Sequence, residues 1–558
     1  MFLLLLVLAV PLLAVSPPTN FRITGCNGYI RLNWQNPSPS SSYTQIEVYR
    51  DTGTSPYLTI ANNNSIYNYV NISEVRHEKH SYYLKARYYN TRSVATITLE
   101  GYAIRKIYIS DNQDGTGSSA TDTKDIKNFQ TSNGPSGWGN YDWGDGHNGF
   151  YKGDSIILVG EIGGSEGSYG STSAAIHLPN PSSEPYIEQI FPREVYYNGE
   201  PFEGGPDKLL FISAHLVDDE SNQAIITPSV TGNDFGILTN GTDNIIIKGF
   251  QFNEVAGKSI TFEDGCWIIN ASKSSNLIIE DNYFNFTKGN GCIKLQAADE
   301  NAVGGQRVYS DVKNVYIKNN VIYQGNANSE YECSIAMCYD KVWGGNGDFI
   351  QIGLESDNTQ ADVDNISIYK NTITLRNTWI DPLDINKKNP HTDMIQAYRL
   401  KNNSKIYIYQ NYFKWIGTRT DNGPQGIHAT STVGGTGEIW VWNNIFYFTA
   451  ANNAININNY DENIIGYIKL FAYNNTFYKE DAGYRSSYFV QIQKPVGGNE
   501  IKNNIFYSPI SNNTEGLNFR LLAIKDVGST THSIDYNLFH SPKISNTPTP
   551  DYYYLNYG

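Results

Sequence analysis

The sequence predicts an all-β protein in which an antiparallel sandwich is followed by a solenoid of stacked parallel coils. The composition, with 49 Gly, 42 Tyr and 17% charged residues, favours strands and turns over long helices. Residues 17–105 alternate apolar and polar positions, as strands of a sandwich do. Residues 106–540 repeat one asparagine-centred motif, and residues 541–558 remain as a C-terminal tail.

Charge and hydropathy exclude two broad classes of protein. Hydrophobic residues make up 40% of the chain, enough to bury a core, so wholesale disorder is excluded. The net charge is 41 − 55 = −14, which argues against a nucleic-acid partner.

The first 16 residues are predicted to be a signal peptide. The apolar run from Phe2 to Val15 is too short to span a bilayer, and Ala14-Val15-Ser16 offers small residues for cleavage. No Lys or Arg follows Met1, so a retained N-terminal hydrophobic segment is the alternative. We find no later membrane span in the sequence and expect a secreted or cell-surface protein.

Cysteines and glycosylation sequons are compatible with that location. Disulfides Cys333–Cys338 and Cys266–Cys292, with Cys26 left over, would fit an oxidising compartment, and the spacings match no zinc site. The N-x-S/T sequons, which suggest a glycoprotein, begin at Asn63, Asn71, Asn240, Asn270, Asn285, Asn365, Asn402, Asn474 and Asn512.

The N-terminal region resembles a fibronectin type III domain. Its strands include Ile30-Arg31-Leu32-Asn33-Trp34 and a later segment with Tyr82, Leu84, Ala86 and Tyr88 on one face. Trp34 stands where that family places its core tryptophan, and Tyr82 where it places the tyrosine corner. The resemblance implies a spacer or binding accessory.

After Lys106 one motif recurs: apolar-x-apolar, two residues, Asn, one residue, then Phe or Ile. The asparagines are separated by 38, 51, 40, 33, 31, 29 and 33 residues and are Asn282, Asn320, Asn371, Asn411, Asn444, Asn475, Asn504 and Asn537. Each repeat is predicted to be one coil of a solenoid. We expect the asparagines to stack at a corner, tolerating a left-handed turn there and bonding to their neighbours above and below.

A second strand lies between consecutive copies, in segments such as Asp348-Phe349-Ile350-Gln351-Ile352 and Asp393-Met394-Ile395-Gln396-Ala397. Together these repeats resemble a right-handed parallel β-helix of the pectate-lyase-like superfamily, whose members include secreted proteins. The resemblance covers about Ile107 to His540.

Alternation along the second strand predicts a polar outward face. If the isoleucines point inward, the next residues form the column Lys294, Gln351, Gln396, His428, Asn456 and Gln491, and two positions later come Tyr398, Thr430, Asn458 and Gln493. An amide-rich face suits a polysaccharide or cell-surface glycan, although solvent-facing sides of solenoids are often simply polar.

The candidate catalytic residues are Asp348, Asp393, His391 and His428. Asp348 and Asp393 begin the same strand on adjacent coils, so their carboxylates could lie about 5 Å apart, as in retaining glycosidases. One carboxylate would then raise the pKa of the other. Alternatively, both residues cap turns through backbone bonds. The surrounding His-x-Asp-x-Ile-Gln and Gln-Gly-Ile patterns resemble secreted bacterial β-helix proteins thought to act on polysaccharides.

A polysaccharide lyase would use these parts differently, with a Lys, Arg, His or Tyr base and a cation on the uronate carboxylate. The candidate substrate-binding residues are Gln351, Gln396, Tyr398, Arg399, Arg419, Asn456 and Trp379. Trp343 and Trp415 are further candidates for stacking on sugar rings. The chain lacks the Arg-rich signature of classical pectate lyases and the Asn-Thr-Asp, Asp-Asp and Gly-His-Gly set of polygalacturonases.

No metal site is assigned. Ca²⁺ would be a reasonable bridge between a protein of net charge −14 and a polyanion, but the acidic run Glu355, Asp357, Asp362 and Asp364 is equally a solvated loop. Two functions follow: a polysaccharide lyase or glycoside hydrolase, or a non-catalytic surface, adhesin or filament protein capable of self-assembly.

Overall fold

A computed structural model shows an all-β chain that divides into two compact units, the first built mainly from residues 1–106 and the second from Ile107 onward. The structure describes residues 15–26, 28–74, 79–101, 103, 106–110, 115, 118–119, 121–125, 154–162, 173–177, 196–197, 200–201, 209–213, 225–226, 234–239, 241, 243–253, 267–286, 291–299, 309–324, 348–354, 361–377, 393–400, 403–417, 425–430, 435–449, 453–459, 466–480, 486–509, 518–525, 531–540 and 552–553. The predicted signal peptide lies almost wholly outside the described residues. Within those residues, no helix is long and apolar enough to cross a membrane.

Two antiparallel sheets form the first unit. The strands are β1 (Thr19–Cys26), β2 (Tyr29–Gln35), β3 (Gln45–Arg50), β4 (Leu58–Ala61), β5 (Tyr67–Ser73), β6 (His80–Tyr88), β7 (Thr91–Arg92) and β8 (Leu99–Gly101), with a 3₁₀ turn at Ser40–Ser42. One sheet has the order β1-β2-β5; the other has the order β4-β3-β6-β7, with β8 beside β6.

Alternation places Ile30, Leu32 and Trp34 of β2 in the core, together with Tyr82 and Leu84 of β6. The Tyr82 hydroxyl donates a 2.7 Å hydrogen bond to the Glu74 carboxylate. In the tyrosine corner of immunoglobulin-like sandwiches the hydroxyl bonds instead to backbone, so the partner here differs. The bond and burial together raise the pKa of Tyr82.

One charged residue of this unit, Glu47, is buried. Glu47 of β3 is fully buried because Arg92, Arg87 and Tyr49 cover it, with Arg92 Nε 2.7 Å and the Tyr49 hydroxyl 2.8 Å from Glu47 Oε2. Such paired donors compensate the desolvation of a buried carboxylate.

The second unit is a right-handed parallel β-helix with three long sheets. Sheet A contains Lys106–Ser110, Lys124–Asp125, Ser155–Leu158, Leu209–Ser213, Ile245–Lys248, Leu277–Glu280, Val312–Lys318, Val363–Tyr369, Lys405–Tyr409, Gly435–Trp442, Gly466–Tyr473, Glu500–Lys502 and Ser533–Asp535. Sheet B contains Glu161–Ile162, Ile225–Ile226, Gln251–Asn253, Tyr283–Phe286, Val321–Gln324, Thr372–Asn377, Tyr412–Gly417, Ile445–Phe448, Thr476–Lys479, Ile505–Tyr507 and Leu538–His540.

Sheet C carries the second strand of each repeat. It contains Ser173–His177, Asp234–Leu238, Trp267–Asn270, Gly291–Asp299, Ile350–Leu354, Asp393–Tyr398, Gln425–Thr430, Asn453–Asn458, Ser486–Gln493 and Asn518–Lys525. Tyr309–Ser310 and Tyr552–Tyr553 add antiparallel to this sheet, so part of the predicted tail pairs with the last coil. Tyr196–Tyr197 and Glu200–Pro201 form a separate hairpin.

The asparagines of the repeat form a ladder at the corner between sheets A and B, as expected. In Asn411, the backbone N–H and Nδ2 both donate to Asn444 Oδ1, at 2.9 and 3.0 Å, and Nδ2 also donates to the Ile368 carbonyl. The same pattern runs from Asn282 to Asn537. Each buried amide is thereby satisfied by the next coil.

The left-handed turn residue is the one before each ladder asparagine. Gln410, Asn443 and Asn474, for example, have φ between 55° and 57°. A second asparagine ladder lies at an exposed corner, where Asn314 Nδ2 donates to Asn276 Oδ1 at 3.0 Å and Asn365 Nδ2 donates to Asn314 Oδ1 at 2.7 Å.

Apolar columns fill the interior between the sheets. The Phe of each motif stacks on its successor, as in Phe413–Phe446 at 4.7 Å and Phe446–Phe477 at 4.8 Å between ring centroids. Trp415 lies on the same inward face as Phe413 and is fully buried. The prediction that Trp415 stacks on sugar is therefore wrong, because a two-residue step returns to the same face. Cys292 is buried and free, so the suggested Cys266–Cys292 disulfide is also wrong.

Replacing Asn411 with Ala should destabilise the solenoid by about 3 kcal/mol, because buried partners on two coils lose their hydrogen bonds. Asn314→Gly is the matched control, since Asn314 is exposed and Gly tolerates its φ of 57°. We expect the control to change the free energy of unfolding by a few tenths of a kcal/mol. Equal effects in urea unfolding would contradict the role assigned to the buried ladder.

Candidate functional site

The candidate site lies on the outward face of sheet C. Ile350 pairs with Ile395 and Ile395 with Ile427, and all of these side chains are buried. The next residues pair in the expected order, which is Lys294, Gln351, Gln396, His428, Asn456 and Gln491. The second outward column runs Gly353, Tyr398, Thr430, Asn458 and Gln493.

This outward face is partly covered rather than open. Gln351 and Gln396 are half-buried and bond to each other, with Gln351 Nε2 donating to Gln396 Oε1 at 3.0 Å. Asn456 and Gln491 are buried. The face therefore offers recessed amides rather than a fully exposed polar plane.

Tyr398 is held in place across two neighbouring coils. Its hydroxyl accepts a 2.6 Å hydrogen bond from Gln296 Nε2, and its ring lies against Gly353 on the coil between them. A Cβ at Gly353 would come within 2.9 Å of Tyr398 Cδ1 and 2.3 Å of the Tyr398 carbonyl oxygen. Glycine is therefore required at this position for the close approach of the tyrosine.

The two candidate carboxylates begin adjacent rungs of sheet C and are both fully buried. Asp348 Oδ1 accepts a 3.0 Å hydrogen bond from the Asp393 backbone N–H. Two coils beyond Asp393, Asn453 does the same for the backbone N–H of Tyr488, at 2.9 Å. Asp348 thus accepts a backbone hydrogen bond from the next coil, and the neutral amide of Asn453 accepts the same kind of bond elsewhere in this column.

Burial, followed by the negative charge of Asp393, raises the pKa of Asp348 well above its ordinary value. The hydrogen bonds from the Asp393 backbone and from Gln351 act in the opposite direction and are outweighed. Burial and the charge of Asp393 therefore both favour the protonated form of Asp348.

Asp393 also contacts the imidazole of His428. His428 Nδ1 lies 2.9 Å from Asp393 Oδ2, and the His428 side chain is 13% exposed. Gln425 Nε2 lies 3.5 Å from the same ring nitrogen. A carboxylate at Nδ1 fixes the tautomer and orientation of a histidine, so that Nε2 faces away from the carboxylate.

The other predicted residues fall in different places. Arg399 directly follows the strand that carries Tyr398, is half-buried and has a φ of 52°. Asn456 lies beside His428 on the next coil, and its buried Oδ1 has no hydrogen-bond partner among the described residues. His391, Arg419 and Trp379, together with Trp343 and most of the long insertions, lie outside the described residues.

Sequence reasoning missed two members of the buried column, Gln425 and Asn453. Gln425 pairs with Asp393, and Asn453 pairs with Tyr488 on the following coil. Both residues stand two positions before an inward isoleucine, as Asp348 and Asp393 do. Aligning the second strands by that isoleucine reveals the column.

The described residues contain no group of three or more His, Cys, Asp or Glu side chains that could hold a metal ion. In the acidic run considered for Ca²⁺, Asp362 pairs with Lys313 at 3.1 Å and Asp364 accepts the Lys405 backbone N–H at 2.9 Å. Glu355 and Asp357 lie outside the described residues.

No protein-family model and no curated protein matches the chain. Among solved structures, the tailspike protein of E. coli bacteriophage HK620 in complex with pentasaccharide matches at 11% identity and TM-score 0.31, covering 70% of this chain and 60% of that chain. A mutant of that tailspike, also in complex with pentasaccharide, matches at 12% identity and TM-score 0.34, covering 70% and 61%.

A pectate lyase from a Bacillus species in complex with trigalacturonate matches at 16% identity and TM-score 0.20, covering 63% of this chain and 80% of that chain. The chain spans about three fifths of the length of the tailspike chains.

The raised pKa of Asp348 predicts a pH-dependent stability. Because the folded protein holds this proton more tightly than the unfolded chain, the stabilisation is fully present below the unfolded pKa, near 4, and is lost as pH rises through the folded pKa. Asp348→Asn should remove this loss of stability at high pH, because an amide does not titrate. It should keep the backbone hydrogen bond, since the amide of Asn453 makes the same bond.

We expect the difference in the free energy of unfolding between Asp348→Asn and the original protein to increase from about pH 5 to about pH 8, in favour of the variant. Asp364→Asn is the control, because Asp364 accepts a backbone N–H in the same way but is only half-buried. If both variants had the same pH profile in urea titrations, burial of the Asp348 charge would not be the cause.

Proposed function

We propose that the protein binds and cleaves a polysaccharide on the outward face of sheet C. The observation that carries this proposal is the His428–Asp393 pair, a fixed imidazole at the centre of an amide-rich face. Buried carboxylates that orient a histidine recur where protons are transferred in catalysis.

Recessed amides supply the binding part of the proposal. Gln396 precedes His428 in the outward column and Asn456 follows it, so both flank the imidazole along the solenoid axis. The partnerless Oδ1 of Asn456 is an acceptor suited to a sugar hydroxyl.

The burial of both carboxylates favours His428 as the reacting group. A retaining hydrolase needs two carboxyl groups facing the scissile bond, whereas Asp348 is fully buried and bonded to backbone. Elimination from a uronate needs one base and a cation near the substrate carboxylate. In this scheme His428 removes the C5 proton of the uronate, the C4–C5 double bond forms as the C4–O glycosidic bond breaks, and the departing oxygen takes a proton from water. Asp393 stabilises the imidazolium, and Arg399 or Arg419 attracts the uronate carboxylate.

Secretion and domain roles complete the proposal. Residues 1–16 act as a signal peptide, residues 17–105 as a fibronectin type III-like spacer, and residues 106–540 as the working β-helix. The sequons remain candidates for glycosylation, and Ca²⁺ is a candidate bridge to an acidic substrate.

A non-catalytic surface protein is the second candidate, and a specific observation favours it. The outward face of sheet B exposes aliphatic side chains on several coils, including Ile445 at 48%, Ile505 at 42% and Leu538 at 61%. Exposed apolar residues in register along a sheet are typical of contact surfaces, so this face would serve self-assembly.

Incubation with a panel of neutral and acidic polysaccharides tests the proposal. Products would be followed by the ultraviolet absorbance of unsaturated uronates and by reducing ends. We expect unsaturated products, with His428→Ala and Asp393→Asn each lowering the rate at least ~100-fold. His540→Ala is the control, because His540 is an exposed outward histidine on sheet B.

Reducing ends without unsaturated products would instead indicate a hydrolase that uses Asp348 and Asp393. A folded protein that is inactive on every substrate, with and without Ca²⁺, would favour the surface protein.

A further inference from the structure

The outward face of the three-stranded sheet in the first unit carries tyrosines and arginines. In β2, Ile30 and Leu32 point into the core, so Tyr29 and Arg31 point outward. The face is formed by Arg22, Tyr29, Arg31, Tyr67, Tyr69 and Asn71, and we call it the tyrosine–arginine face.

Two tyrosine rings of this face are unusually open to solvent. Tyr67 is 69% exposed and Tyr69 is 60% exposed. They are two residues apart on β5 and therefore about 7 Å apart along one side of the strand. Large aromatic side chains held out in a row provide binding area at a low cost in conformational entropy.

Arg31 is fixed between the rings. Its Nε donates to Asn71 Oδ1 at 2.9 Å, and its guanidinium carbon lies 5.1 Å from the ring centroid of Tyr69 and 5.9 Å from that of Tyr29. A guanidinium held by a side-chain amide and two rings is oriented before any ligand arrives, so less entropy is lost on binding.

The charge of this face is opposite to that of the whole chain. The strands β1, β2 and β5 contain Arg22 and Arg31 but no Asp or Glu, whereas the chain carries −14. On the other sheet three arginines contact carboxylates: Arg87 and Arg92 bond to Glu47, and Arg50 lies 2.7 Å from Glu74. Among the described residues Arg31 forms no ion pair, so its positive charge favours an anionic partner.

We propose that the tyrosine–arginine face binds an acidic polysaccharide, separately from the site on sheet C. The tyrosine rings would contact the apolar faces of the sugar rings, and Arg31 would pair with a uronate carboxylate. Asn33 and Gln35, which pair with Tyr69 and Tyr67 from the neighbouring strand β2, would bond to hydroxyls. The first unit then holds the polymer, so this inference goes beyond the cleavage proposed for the β-helix.

Isothermal titration of the full-length protein with polygalacturonate tests the inference, using protein made in bacteria so that Asn71 carries no glycan. Because the ring of Tyr69 and the guanidinium of Arg31 act together, Tyr69→Ala and Arg31→Gln should each weaken binding at least about tenfold. Neither variant should change the thermal midpoint of unfolding appreciably, since Tyr69 is exposed.

Tyr57→Ala is the matched control. Tyr57 is 48% exposed and lies under a guanidinium, with Arg50 4.7 Å from its ring centroid, but Arg50 is neutralised by Glu74. We expect this variant to bind as the original protein does. Equal losses in Tyr57→Ala and Tyr69→Ala, or no loss in either face variant, would overturn the proposal.

Two further measurements separate this face from the site on sheet C and from general charge attraction. His428→Ala should keep the Tyr69-dependent binding even though cleavage is lost, and Tyr69→Ala should still cleave short oligosaccharides at the original rate. Double-stranded DNA that competed fully for the same face would overturn the proposal, because charge alone would then explain the binding.

Discussion

The register between successive coils is the constraint on which the rest of the structure depends. Parallel backbone pairing alone would tolerate slippage, and a one-residue slip would turn every inward isoleucine of sheet C outward. The asparagine ladder prevents this, because each buried amide bonds to the amide one coil on, as Asn371 does with Asn411 at 3.0 Å. The ladder runs along one corner, and its register places Gln396 beside His428 on sheet C.

Burying carboxylates in such a column is unfavourable unless each oxygen has a partner. The two carboxylates of this column, Asp348 and Asp393, make different contacts. Asp348 bonds to backbone, and burial and the neighbouring negative charge raise its pKa. Asp393 Oδ2 lies 2.9 Å from Nδ1 of the His428 imidazole. A neutral residue such as Asn453 accepts the same kind of backbone bond as Asp348, whereas the Asp393 carboxylate contacts the histidine.

The fold was predictable from the sequence because it follows from periodicity. The asparagine spacing and the alternation around Ile350, Ile395 and Ile427 define the coils and their outward columns. The site was predictable only in part. Alternation brings Asp393 and His428 to neighbouring rungs, but the direction of the Asp393 side chain depends on atomic packing between coils. Burial of Glu47 was not predictable, since the arginines that cover it come from other segments.

The most direct test of the account is the tautomer of His428, read by nuclear magnetic resonance of isotope-labelled histidine. The ring signals would be assigned by comparison with His428→Ala. In the neutral form of the ring we predict the proton on Nδ1, bonded to Asp393, and a change of that signal in Asp393→Asn. A ring protonated at Nε2, or one indifferent to Asp393→Asn, would contradict the claim that the buried carboxylate column positions a catalytic histidine.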